Sequence, residues 1–123
     1  MNSNINALDT FGLSQQVTAN NIANMHTPEF QSSRVHLETG PQDQGVHVQD
    51  VVENSASDPL VSGDEYVRDN DEVRYEERLT EGSNTDLTQE IVQMIEDEHA
   101  FAANVAALRA HMDMQGVFID EMV

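Results

Sequence analysis

Glu96 and His99, three residues apart in a helical stretch, are the side chains in this sequence best spaced for chemistry. In di-iron helical bundles a Glu and a His at this spacing project onto one metal, but the site needs a second such pair and two further glutamates on facing helices. This chain has one pair, so the reading is a solvated helix face, with metal binding left only to a site built across subunits. Asp69-Asn70-Asp71 lacks the following glycine and the distal glutamate of a calcium loop and reads as a turn. Met94, Met112, Met114 and Met122 read as adaptable packing rather than a metal or haem site. Ser14, Ser83 and the five histidines have no triad context, and no phosphate loop or paired catalytic carboxylates stand out. The expectation is a non-enzyme, with no catalytic residue, cofactor or metal.

What remains is surface and packing. Of 123 residues, 38% are hydrophobic, with no Trp and no Cys. No disulfide or thiolate site exists. The net charge is −18, from 23 acids, five Arg and no Lys. Residues 1–30 carry −2, residues 31–86 carry −10 and residues 87–123 carry −6. Without clustered Lys and Arg, neither nucleic acid nor an anionic lipid surface is an expected partner. The acid reads as a solvated surface. The first residues show no basic segment or apolar run of a cleavable leader, and no stretch reaches the ~18 apolar residues of a membrane span.

Three regions follow from the patterning. Residues 1–30 hold a helix over 5–25, with Leu8, Phe11, Ile22 and Met25 at heptad-compatible spacing and Gln15 and Thr18 between them. Thr27-Pro28 ends it. Residues 31–85 form an acidic, aromatic-poor insert, expected to be extended, partly β and partly disordered. Val46, Val48, Val51 and Val52 read as a strand there, with Val35 and Leu37 as its partner. Residues 86–123 are a long heptad helix, capped by Asp86 with Gln89 three residues on. Its seam reads Ile91, Glu98, Val105, Met112 and Ile119 at one position and Met94, Phe101, Leu108, Gln115 and Met122 at the other, eight of ten apolar. Glu98 in that stripe is either a local opening or a register-setting contact to Arg109 or Arg34 of another subunit. A helix of about 55 Å is too long for the N-terminal helix of about 30 Å to bury, so further partners are implied.

The two ends together carry a resemblance. Gly12-Leu13-Ser14, Asn20-Asn21-Ile22-Ala23-Asn24 and Thr27-Pro28-Glu29-Phe30 at one end pair with Ser83-Asn84-Thr85-Asp86-Leu87, Glu90-Ile91-Val92-Gln93-Met94-Ile95 and Phe101-Ala102-Ala103-Asn104 at the other. This pattern resembles the bacterial flagellar axial proteins, the rod and hook family, and most closely the short proximal rod proteins. The family's N-terminal pattern ends in T-P-G and an aromatic; here Glu29 stands in place of the glycine, and Phe101 in place of a usual tyrosine. Gly45-Val46-His47-Val48 through Val51-Val52-Glu53 is similar to a segment of one short rod protein.

The resemblance implies a mainly α fold, with N- and C-terminal helices packed as a coiled-coil-like inner-tube bundle around a small extended or β insert. It implies a structural subunit of the basal-body rod, exported unfolded through the flagellar type III apparatus without signal cleavage. Copies of itself and other rod proteins are the implied partners, the periplasm-spanning rod the implied location, and torque transmission the implied role. Assembly contacts are expected at Leu8, Phe11, Asn21, Ile22, Asn24, Thr27, Pro28 and Phe30, and at Ile91, Met94, Phe101, Asn104, Val105, Leu108, Met112, Ile119 and Met122. Asn21 and Asn24 are expected to bond across to backbone or to a neighbouring subunit. Two other readings stay open: a soluble coiled-coil adaptor or export chaperone, which would fold alone as a dimer, and a helical-bundle metal enzyme using Glu96 and His99.

Overall fold

Two helices and two antiparallel hairpins make up the computed structural model, which describes residues 1–41 and 44–123 apart from the side chains of Glu65 and Val67. In chain order they are α1 (Asn2–Ala23), β1 (Ser33–Thr39), β2 (Val46–Glu53), β3 (Leu60–Asp69), β4 (Glu72–Glu81) and α2 (Leu87–Met122). The helices are 22 and 36 residues long, and the four strands 7, 8, 10 and 10. The fold is therefore α+β, not a mainly α bundle with a small insert. The sequence understates the strands because β3 and β4 alternate weakly and are dense in acid.

β1 and β2 coincide with the strands read at Val35–Leu37 and Val46–Val52, and they pair from Ser33 opposite Glu53 to Thr39 opposite Val46. The register slips between His36 and Leu37, leaving Gln49 as the extra residue of a bulge. This hairpin lies along α1. Thr10 Oγ1 donates to the Val46 carbonyl at 3.2 Å, and Gly45, at φ 89°, rests on the first turn of α1. A Cβ there would come within 2.9 Å of Ser3, so the close approach requires glycine.

β3 and β4 form a second hairpin of ten rungs, from Leu60 opposite Glu81 to Asp69 opposite Glu72. Asn70 and Asp71 close it, with φ of 45° and 67°. Two central residues at positive φ make a type I′ turn, whose twist matches that of the strands. Tyr66 faces Tyr75 across the ladder, with ring centroids 4.7 Å apart. Asp64 opposite Glu77 and Asp69 opposite Glu72 are like-charge rungs that weaken it.

α1 and α2 run antiparallel against each other. The contact face of α1 is Ala7, Thr10, Ser14, Thr18 and Asn21, spaced three or four apart as a helical stripe requires, and all five are buried. Four of them are polar. Ala7 is the one apolar side chain among the described residues that is fully packed away. On α2 the buried positions are Glu90 and Asp97, seven residues apart, with Asn104 and His111 continuing the same line half-buried. Thus the core between the helices is a polar seam of small side chains, and the apolar residues flank it.

Candidate assembly surface

The seam is held by hydrogen bonds rather than by hydrocarbon. Asn21 is its hub, with 0% of its surface exposed. Its amide pairs with the backbone of Ser33, donating to the carbonyl at 2.7 Å and accepting from the N–H at 2.9 Å. The same Nδ2 reaches Glu90 Oε2 at 3.2 Å. Glu90 also takes the Arg34 guanidinium at 3.4 Å, so α1, β1 and α2 meet at one buried carboxylate. One heptad further along, Ser14 Oγ donates to Asp97 Oδ2 at 2.5 Å and Gln93 donates to Asp97 Oδ1 at 3.0 Å. Asp97 is 1% exposed and has no cation beside it among the described residues. Arg34 thus pairs within the chain with Glu90, while Glu98 lies exposed.

A second junction gathers the chain where the hairpins enter and leave. The Asn84 side chain accepts from Ser32 N at 2.6 Å and donates to the Asn54 and Ala56 carbonyls at 2.7 and 3.3 Å. Asp86 then starts α2, its carboxylate accepting from Thr88 N and Gln89 N as an N-cap. Sequence reading named Asn21 and Asp86 and offered Arg34 as a partner for Glu98 of another subunit, but missed Asn84, Glu90, Asp97 and Ser14 as partners. Their signal is present as polar residues on one helical line, but hydrophobic periodicity does not look for it.

The N-terminal motif forms a bracket. α1 ends at Ala23, two residues short of the reading from sequence, with Asn24 as C-cap. Asn24 bonds locally, to the Asn20 carbonyl and to Thr27. Thr27-Pro28-Glu29-Phe30 is a β-turn closed by Phe30 N to the Thr27 carbonyl at 3.3 Å. Pro28 occupies its second position and Glu29, at φ 59°, its third, which makes it type II. The backbone region that favours glycine is thus kept by a glutamate, at a cost of about 1–2 kcal/mol. Glu29 N also donates to the Glu81 carbonyl at 2.9 Å, tying the turn to the base of β4. Replacing Glu29 by glycine is expected to raise stability by about 0.5–1 kcal/mol, the strain relieved exceeding the added freedom of the unfolded chain. Thermal unfolding followed by circular dichroism checks this, and a lower midpoint would contradict it.

The other expected contacts fall into two sets. Leu8, Phe11, Ile22, Phe30, Met94, Asn104, Val105 and Leu108 are half-buried beside the seam. Thr27, Pro28, Ile91, Phe101, Met112, Ile119 and Met122 are exposed. The pairing of Asn21 with Glu90 and of Ser14 with Asp97 fixes the overlap of the helices. Continued by heptads, it brings the start of α1 level with about residue 110, so α2 runs on alone for roughly 18 Å. That free end shows Met112, Met114, Val117, Phe118, Ile119 and Met122, each more than half exposed.

Glu96 and His99 are both exposed, and no group of three or more metal-binding side chains occurs among the described residues. A polar cleft of about 360 Å³ lies between β1–β2 and the start of α2, lined by Arg34, His36, Glu53, Asn84 and Glu90 among others. Tyr75 is held above the usual phenol range by its hydrogen bond to Tyr66 and by slight desolvation.

Residues 77–122, the end of β4 and all of α2, match the family described as flagellar basal body rod FlgEFG protein C-terminal. Over these residues, a little over a third of the chain, the protein is similar to the C-terminal region of flagellar basal body rod proteins. Rod proteins of this family are structural components of the flagellum. The matched region includes Glu90, Asp97 and every residue of the overhang. No curated protein matches the chain. No helix among the described residues is long and apolar enough to cross a membrane.

Proposed function

We propose that the chain is a structural subunit of the flagellar basal-body rod, polymerised helically through α1 and α2 to transmit torque. One observation carries this reading: the helix that matches the rod family is the one that ends in six apolar side chains, each more than half exposed. A lone globular domain seldom leaves so many large apolar side chains of one helix end to water. The polar seam supports a subunit that is only marginally stable until its neighbours arrive, which suits export in an unfolded state through the flagellar type III apparatus. On this reading Ile91, Phe101, Met112, Ile119 and Met122 meet neighbouring subunits, and the acidic hairpins face outward or toward other rod proteins. The chain performs no catalysis in this role and needs no cofactor.

Mass spectrometry of purified hook–basal bodies from the native cell tests the proposal. The chain should be present at a few copies per particle; a chain found soluble in the cytoplasm and missing from the particle would favour an adaptor. Two substitutions address the surface itself. Leu108→Asp and Phe118→Asp should each abolish rod assembly and swimming. Phe118 is 64% exposed, so its replacement should leave the helicity of the isolated chain unchanged. Normal motility with Phe118→Asp would refute the proposed packing face.

A further inference from the structure

A groove of about 580 Å³ opens where the Thr27–Phe30 turn meets the base of the β3–β4 hairpin. Its apolar lining is Pro28, Leu60 and Leu79, and the two leucines are 62% and 66% exposed. Three acids, Glu29, Asp64 and Glu81, share that lining. Residues directly opposite in an antiparallel ladder point to the same side, and alternate rungs share a face. The rungs Leu60–Glu81, Ser62–Leu79 and Asp64–Glu77 therefore set both leucines and both hairpin acids on one face, with Glu77 beside Asp64.

The backbone holds these charges together. Glu29 N donates to the Glu81 carbonyl at 2.9 Å, which fixes the two glutamates as neighbours. None of the three carboxylates takes an ion pair or a hydrogen bond among the described residues. Like charges kept this close repel, and a cation between them relieves the repulsion. Glu29 reaches its place through a backbone conformation that favours glycine, so its charge is kept at a loss of stability. A strained residue of this kind directs attention to what its side chain meets. Arg78 lines the groove as well, and the lining keeps a net charge of −2.

Carboxylates beside bare hydrocarbon match one chemistry, a lysine or arginine, whose long apolar stem carries a charged head. A second copy of the chain is a poor source of it. The sequence has no Lys and a net charge of −18. Of its five Arg, Arg34 is paired with Glu90 and Arg74 with Glu72, while Arg78 belongs to the groove itself. We propose that this groove docks a Lys- or Arg-bearing segment of a different protein, its stems against Pro28, Leu60 and Leu79 and its cationic heads on Glu29, Asp64 and Glu81. The contact is one-sided and leaves α1 and α2 free, so its failure and that of the rod reading are separable.

The probe is a five-residue peptide alternating lysine and leucine, titrated into the full-length protein at about 0.15 M salt, where the screening length is about 8 Å. The methyl resonances of Leu60 and Leu79 should shift and saturate, and a peptide with glutamate in place of lysine should leave them unmoved. Glu29→Gln, Asp64→Asn and Glu81→Gln together should weaken binding about tenfold, since each exposed ion pair is worth a factor of about two to five. These changes keep side-chain size and remove like-charge repulsion, so the hairpin stays folded. The comparison is Glu98→Gln, Asp113→Asn and Asp120→Asn together, which alters the net charge equally at exposed sites on α2. That variant should bind within about twofold of the wild type, because such charges act little beyond the screening length. Unmoved leucine methyls, binding of the glutamate peptide, or equal losses in the two triple variants would each overturn the proposal, the last by reducing the attraction to the overall acidity of the chain.

Discussion

Asn21→Leu should lower stability by about 3 kcal/mol, the largest single effect expected in this chain outside assembly. Leucine keeps the number and branching of the side-chain heavy atoms but is bulkier and cannot hydrogen-bond, so lost pairing dominates and some overpacking adds to it. The substitution strands the Ser33 N–H and carbonyl, both of which Asn21 serves, and takes one donor from Glu90. A buried polar group left without a partner costs about 1–3 kcal/mol, and more where charge is involved. Against a total of about 5–15 kcal/mol for a domain, that is a large fraction. The midpoint of thermal unfolding should fall by roughly 10 °C. Amide exchange at Ser33 should accelerate in parallel, since its N–H becomes the open end of β1. A change below 1 kcal/mol would mean that Asn21 does not join the helices to the first hairpin.

The second large effect is a reversal of sign along a double substitution. Ser14→Ala alone removes the donor from Asp97 Oδ2 and leaves a buried carboxylate short of a partner, at an expected cost of about 2 kcal/mol. Adding Asp97→Leu removes the carboxylate itself. The pair Ser14→Ala, Asp97→Leu should then regain the loss and exceed the wild type by about 1–2 kcal/mol, as buried ionic groups often yield to well-packed apolar ones. Urea unfolding of the wild type, both single variants and the double variant measures this cycle. Additive losses would show that the seam depends on the carboxylate for more than its hydrogen bonds. If the rod reading holds, the stabilised double variant should also be exported less well, because its helices part less readily.

These two predictions rest on the part of the molecule that the sequence disclosed least. The apolar heptads from Ile91 to Met122 are plain to read, as is the Asp86 cap, and α2 forms over nearly the expected range. Hydrophobic periodicity assumes that the apolar line turns inward. Here the line packed against α1 starts one residue earlier, at Glu90, and passes through Asp97, Asn104 and His111, while Ile91, Met112 and Ile119 stay outside. A rule built on burial by the same chain cannot separate the two lines when the burying partner lies elsewhere. The second hairpin was hidden for another reason. Asn70-Asp71 is an evident turn, and Val73-Arg74-Tyr75 alternates as a strand should. The rungs Asp64–Glu77 and Asp69–Glu72 instead suggest self-repulsion and an unstructured insert. The Thr27-Pro28-Glu29-Phe30 motif was legible as a stop to α1 but not in its backbone conformation, because a glutamate in the glycine position gives no sign of positive φ. A type II turn demands positive φ at the residue after its proline, and Glu29 adopts it.

A polar seam also shapes how the subunit responds to temperature. The heat-capacity increment of unfolding comes from hydrocarbon newly exposed to water, offset by polar surface, and averages about 12–15 cal/mol/K per residue. With Ala7 as the one fully packed apolar side chain among the described residues, this chain has little hydrocarbon left to expose. Its increment should fall well below that average, so its free-energy curve should be low and flat, with no sharp optimum. The isolated subunit would then melt over a broad range, and the steep, hydrocarbon-driven temperature dependence would belong to the polymer.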